Sequence, residues 1–464
     1  MTTPVEPQTS RFRRLFGATE GLLIVAVAWD ALIVAFLSLF SGPVRSLGLA
    51  GRLGIALGDT GRTGRIVMLY HLLAAPFVAA IGYFILDQVP VRAGQKRAIL
   101  PPLTAGYMLS SGGGFVFGYW GRNWLAHGLF LVGLSLLFYA GVLLAVALWP
   151  GRGQVHAGGV YTRFRGLSLE RLAFFMTTVL VLVSAVLGGG AAAFFGNGFV
   201  AFLAEDVVRL EHTILELAII AHLHIMLTLV DVALLLLIIR YFDVQGRAHQ
   251  WAVPLTIVGT VIVTLATWSV TFWEQAHKLI NVGSAFLLPG AIIVAFWGLA
   301  RIVRQRLIRL GIERPSLGQR IAALFHDPVR LGIFFELIFV NLVVTGPGVY
   351  VAINLDAFRA GPFEIERGIL VGHWHVLATL SAVLMLLLIA DRTGLRGWLR
   401  QVVGWGLLLG SSLAFVLVQF YMFRRLGQEV AWAELGFELG IGATMLAVWL
   451  FLAAWLAGRG SFQR

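Results

Sequence analysis

Two stretches, "AHLHIMLTL" at 221–229 and "GHWHVLATL" at 372–380, each set two histidines one residue apart at the head of an apolar run. A third, "LYHLLAAPF" at 69–77, carries one histidine in the same setting, and about 150 residues separate successive cassettes. An imidazole can hydrogen-bond, move a proton or bind a metal. An α-helix turns about 100° per residue, so side chains at i and i+2 point roughly 200° apart. His222 and His224 therefore cannot clamp one ion between them, and neither can His373 and His375; that would need i,i+3 or i,i+4 spacing. Each pair instead serves two pockets, one on either flank of its helix. Two imidazoles opposed across a gap between helices are the axial ligands of a haem iron. The other chemistry open to them is the common one for membrane histidines, an interhelical hydrogen bond or a proton or ion path. His71, the lone member, suits either use equally.

The elements that hold these residues follow from composition. Of 464 residues, 59% are hydrophobic and 12% charged, with mean hydropathy +0.86. No soluble domain hides that much apolar surface, so lipid is the expected solvent. The absence of cysteine excludes disulfides, thiolate metal sites and covalent c-type haem attachment. The basic N-terminal "MTTPVEPQTSRFRRLF" leads into an apolar run without a small-residue cleavage site, which reads as a retained first span.

Windows of about 20 apolar residues place twelve spans, near 20–42, 64–86, 99–119, 124–149, 172–197, 212–240, 251–273, 278–300, 331–354, 367–390, 401–422 and 431–457. Most of the 35 Lys and Arg then fall on the side of the N-terminus, above all in "RIVRQRLIRLGIERPSLGQR" at 301–320. Positive-inside bias makes both termini cytoplasmic in a multi-pass protein of the cell's inner membrane. The net charge of +12 is thereby assigned to topology and anionic lipid; no nucleic-acid partner is expected.

The cassettes fall in spans two, six and ten. "HLLA", "HIML" and "HVLA" align, so the expected fold is all-α: a single polytopic domain of three pseudo-repeated quartets, 16–150, 171–310 and 328–460. With that topology every cassette histidine lies roughly 10–18 Å below the outer face.

Twelve spans with histidines on the second, sixth and tenth resemble subunit I of the haem–copper oxidase and nitric oxide reductase superfamily. "GHWHVL" at 372–377 is similar to the family's tenth-helix HxH, and Arg424 and Arg425 in "YMFRRLGQE" match its arginine pair between the last two helices. The resemblance implies haem held by His71, His373 and His375, with Arg424 and Arg425 on the propionates. It covers nearly the whole chain as architecture but only these motifs as residues. Span seven, "WAVPLTIVGTVIVTLATWSVTFW", lacks the histidine pair that holds copper or non-haem iron in the family, and span six has no tyrosine near its histidines. Copper is therefore not expected, and His277 at the mouth of span eight does not replace the missing pair. A second histidine on span six stands in instead. The expected ligand pairs are His71 with His375 and His224 with His373, two b-type haems in all. His222 is left for a third pocket toward span two, or to pair with His71 if the register of span two slips.

The expected function is electron transfer by a membrane-integral dihaem subunit without the copper centre. Its donor or acceptor would be a partner subunit carrying a cytochrome c-like or cupredoxin-like domain, or a quinol, since the outer loops are too short to hold such a domain. Two alternatives stay open: a terminal oxygen or nitric oxide reductase with an unusual metal site, and a histidine-dependent transporter or sensor. Asp30, Asp231 and Glu336 lie within spans; the first two are read as proton-route or hydrogen-bonding groups, Glu336 as solvated near an interface. Glu434 and Glu438 read as a solvated helix end, and the glycine runs at 110–118 and 187–196 as close-packing surfaces.

Overall fold

The computed structural model describes residues 15–38, 47–55, 59–120, 123–150, 163–164, 167–195, 214–354, 357, 363–423, 428 and 430–457. Arg424 and Arg425 lie outside them. The long helices are α1 (Thr19–Ser38), α2 (Asp59–Gln88), α3 (Ala93–Tyr119), α4 (Trp124–Leu148), α5 (Leu169–Phe195), α6 (Ile214–Tyr241), α7 (Gly246–Val270) and α8 (His277–Arg309). They continue with α9 (Pro328–Ile353), α10 (Phe363–Arg392), α11 (Gly397–Met422) and α12 (Ala431–Leu456). Among the described residues eleven helices are long and apolar enough to cross a membrane. The chain is an all-α, multi-pass membrane protein. The segment expected as span three is helical within α3, but its prolines, serines and glycines keep it below the apolarity of the others.

Helix starts are chemically marked outside the apolar runs. Ser316 and Gln319 form a reciprocal capping box on the short amphipathic helix Leu317–Phe325. Asp327 caps α9, whose first residue is Pro328, where a missing N–H costs nothing. Gly246, at φ 65°, takes the left-handed turn between α6 and α7.

The described chain forms two compact units, residues up to Ala147 and residues from Leu148 onward. In the first unit α2 packs on α1 and α3, and α3 meets α4 through glycine. A Cβ added at Gly106 would stand 2.8 Å from the Leu137 backbone nitrogen, and one at Gly133 would strike the backbone of Ser110. Glycines at these positions let two helix backbones touch, the contact geometry favoured where lipid removes the hydrophobic drive. A Cβ at Gly113 would likewise stand 2.6 Å from the Ala126 carbonyl oxygen.

In the second unit α6 packs on α5, α7 and α10, and α10 on α9 and α11. Three side-chain pairs tie α6 to α10 along their length. They are His224 with His373, Asp231 with Ser381, and Tyr241 with Asp391, the last two each 150 residues apart in sequence. A constant separation along two helices means that they run parallel and in register. Four crossings separate α6 from α10, so a chain that crosses the membrane with every helix must run them in the same direction.

Candidate functional site

α6 and α10 place their histidines from helical geometry alone. On α6, His222 and His224 face different neighbours. The His222 ring lies against α5, its Nδ1 3.0 Å from the Ser184 carbonyl, with the Trp268 ring of α7 6.4 Å away. A Cβ at Gly188 would overlap the His222 ring, so that glycine makes the space it occupies. This packing accounts for one ring nitrogen of His222 without a cofactor. Gly189 and Gly190, beside it in the same run, meet nothing within 4 Å.

His224 turns toward α10. Its ring centre is 6.4 Å from that of His373, with the planes inclined at 54°. His373 is seated against Gly348 of α9, where a Cβ would stand 2.8 Å from the ring. α9 reaches that point through a π-helical turn, Asn341–Thr345. Such a turn widens the helix by one residue and often marks a functional site. Asn341 Nδ2 donates to the Leu337 carbonyl at 2.6 Å, and Thr345 Oγ1 donates to Asn341 Oδ1 at 3.1 Å. His375, two residues after His373, is exposed. It belongs to the second unit, whereas His71 belongs to the first, where its ring meets Phe130 edge-on at 5.6 Å.

His224 and His373 line one cavity of about 310 Å³, with Trp374, Asn341 and Gly348 beside them. That volume lies within the range of small-molecule pockets, about 300–1,000 Å³. His277 reaches the same wall from the start of α8, its Nδ1 2.8 Å from the Glu274 carbonyl. Two carboxyl groups also face the cavity, Asp231 and Glu336. Asp231 Oδ1 accepts from the Ser381 hydroxyl. Glu336 is not solvated at an interface, as its position in the sequence suggested. It is 1% exposed, because α9 is covered along that face by α10 and α11. Its Oε1 accepts from Ser411 at 2.8 Å, and its Oε2 is buried with no partner.

The fit of a haem can be tested on the histidine pair. Imidazole nitrogens bind a transition metal at about 2 Å and the ring centre lies roughly 1 Å further back, so two axial imidazoles have centres about 6–7 Å apart. The observed 6.4 Å meets that requirement. A pair of imidazoles also suffices for a metal that brings its own equatorial ligands. Among the described residues no three His, Asp or Glu side chains are grouped as they would be around a bare metal ion.

Two ionic clusters went unread in the sequence. Glu170 of α5 lies 3.3 Å from His249 of α7 and 3.7 Å from Arg240 of α6. Asp391 at the end of α10 accepts from Tyr241, Arg330 and Arg400, and Arg400 also holds Asp327. Each residue, taken singly, reads as an interface anchor; only the pairing of distant helix ends shows the clusters. Glu434 and Glu438 are exposed on α12.

No family model, no curated protein and no solved structure matches the chain.

Proposed function

We propose that the second unit holds a haem between α6 and α10, with His224 and His373 on its iron, and that the protein transfers electrons within the membrane. One observation carries this reading: two imidazoles from parallel helices, at the spacing of axial ligands, on the wall of one cavity. A haem there would supply one-electron chemistry. The chain's own part is to fix the rings in a mostly apolar setting. Gly348 and the π turn give His373 its seat. The rest of the wall is mostly apolar, with Leu377 and Leu380 of α10.

A haem held by both His224 and His373 would carry electrons and would not bind a substrate at its iron. The reading is therefore an electron-transfer subunit of haem–copper-oxidase-like architecture, with twelve spans in three quartets and cytoplasmic termini in the inner membrane. The electrons come from or go to a quinol or a partner subunit with a soluble redox domain. Absorption spectra of the mildly solubilised protein test it. A six-coordinate b-type haem gives a sharp reduced band that carbon monoxide leaves unchanged; a reductase with an open iron shows a carbon monoxide shift.

A second reading rests on Asp231 and Glu336, which share the cavity with the histidines. Buried carboxyl groups in a membrane protein mark ion and proton paths, and a transporter would use all four side chains without a cofactor. Such a protein is colourless.

A further inference from the structure

A second cavity, of about 360 Å³, opens at the end of α8 away from His277. Its wall carries three guanidinium groups, Arg301 and Arg309 from α8 and Arg330 from α9, together with Gln305, Tyr241 and Asp391. Asp391 is the one carboxylate in that wall, and its oxygens are engaged. It accepts from Tyr241 at 3.0 Å, from Arg330 Nε at 3.1 Å and from Arg400 at 2.5 Å. Arg400 also donates to both oxygens of Asp327, at 2.9 and 2.8 Å. Arg330 and Arg400 thus neutralise Asp327 and Asp391, two charges against two.

Arg301 and Arg309 remain as surplus positive charge. Asp243 offsets part of the charge on Arg301 from outside the cavity wall. Arg309 brings its charge to the exposed rim. Arg301 is held in place: one Nη donates to the Phe242 carbonyl, and the group lies 4.9 Å over the Trp297 ring. A guanidinium has five N–H donors, of which the Phe242 carbonyl engages one. Gly298 lets the Phe334 ring lie directly against α8 in the same wall, since a Cβ there would strike it. The 33 residues of α8 span about 50 Å at 1.5 Å each. The hydrocarbon core is only about 30 Å thick, so the arginine-bearing end reaches the depth of phosphate headgroups.

We propose that this cavity binds a phosphate group, presented by an anionic lipid or free in solution. Arg301, held in place, and Arg309 at the rim supply guanidinium donors of the kind that pair with phosphate oxygens, with the Gln305 amide in the same wall. The site is independent of the histidine cavity. The test uses the full chain, stripped of lipid in neutral detergent, with thermal unfolding followed by tryptophan fluorescence. Mixed micelles of phosphatidylglycerol are compared with phosphatidylcholine, and inorganic phosphate with chloride at equal ionic strength. A rise in Tm with phosphatidylglycerol alone identifies a lipid headgroup, and a rise with inorganic phosphate identifies the free ion. In either case Arg309→Gln, or Arg301→Lys where the fold must be kept basic, raises the half-saturating concentration about tenfold, as loss of a charge-assisted contact does. Arg304→Gln, on the same helix but outside the cavity wall, leaves it unchanged. The proposal is overturned if neither probe raises Tm, if both cavity variants respond as the wild type does, or if Arg304→Gln weakens binding equally.

Discussion

His222 and His224 differ in what surrounds them, not in chemistry. One is seated on the Ser184 carbonyl and Gly188, the other faces His373 across a cavity. Replacing them separately should have unlike effects. On the haem proposal His224→Ala would remove one iron ligand and lower haem by one equivalent per chain, whereas His222→Ala would keep the haem and cost only packing. Pyridine haemochrome assay of both purified variants checks this; equal haem loss from the two would contradict the assignment. The opposed facing of the two rings was legible in the sequence because it follows from 3.6 residues per turn alone. The burial of Glu336 was not. Its place near the start of a span suggested solvent, and only the packing of α10 and α11 over α9 removes it.

At the scale of elements, close helix contact depends on single glycines. Gly133→Ala pushes a methyl into the Ser110 backbone and should destabilise the first unit by about 1–3 kcal/mol, the usual cost of overpacking. Gly128→Ala, on the same helix with nothing within 4 Å, should be neutral. Thermal unfolding of the two variants in one detergent gives the comparison. The end of α10 is anchored differently. Asp391→Ala takes an acceptor from Tyr241, Arg330 and Arg400 and leaves both arginines to Asp327; it should cost about 1–3 kcal/mol, as losing hydrogen bonds to a charged group does, with a correspondingly lower Tm. The helices themselves were legible from apolar length. The tight face of α3 was legible from its glycine run; of the described glycines at 188–190, Gly188 makes such a contact while Gly189 and Gly190 meet nothing within 4 Å. The Asp391 and Glu170 clusters were not, because an ion pair between residues 61 or 79 apart leaves no local pattern.

For the whole molecule, the parallel register of α6 and α10 is the structural counterpart of the repeated cassettes. The division into two units had no sequence signal. The orientation proposed from the basic residues is directly measurable, because the chain has no cysteine. A Ser461→Cys variant in intact cells should resist an impermeant maleimide and react once the membrane is opened. Labelling of intact cells would place the C-terminus outside.

The most direct measurement is haem per chain in the freshly solubilised wild type and in His373→Ala, with reduced spectra taken before and after carbon monoxide. A haem between α6 and α10 gives a sharp reduced band in the wild type, indifferent to carbon monoxide, and one equivalent less haem in the variant. A colourless wild-type protein, or a variant with undiminished haem, would contradict it.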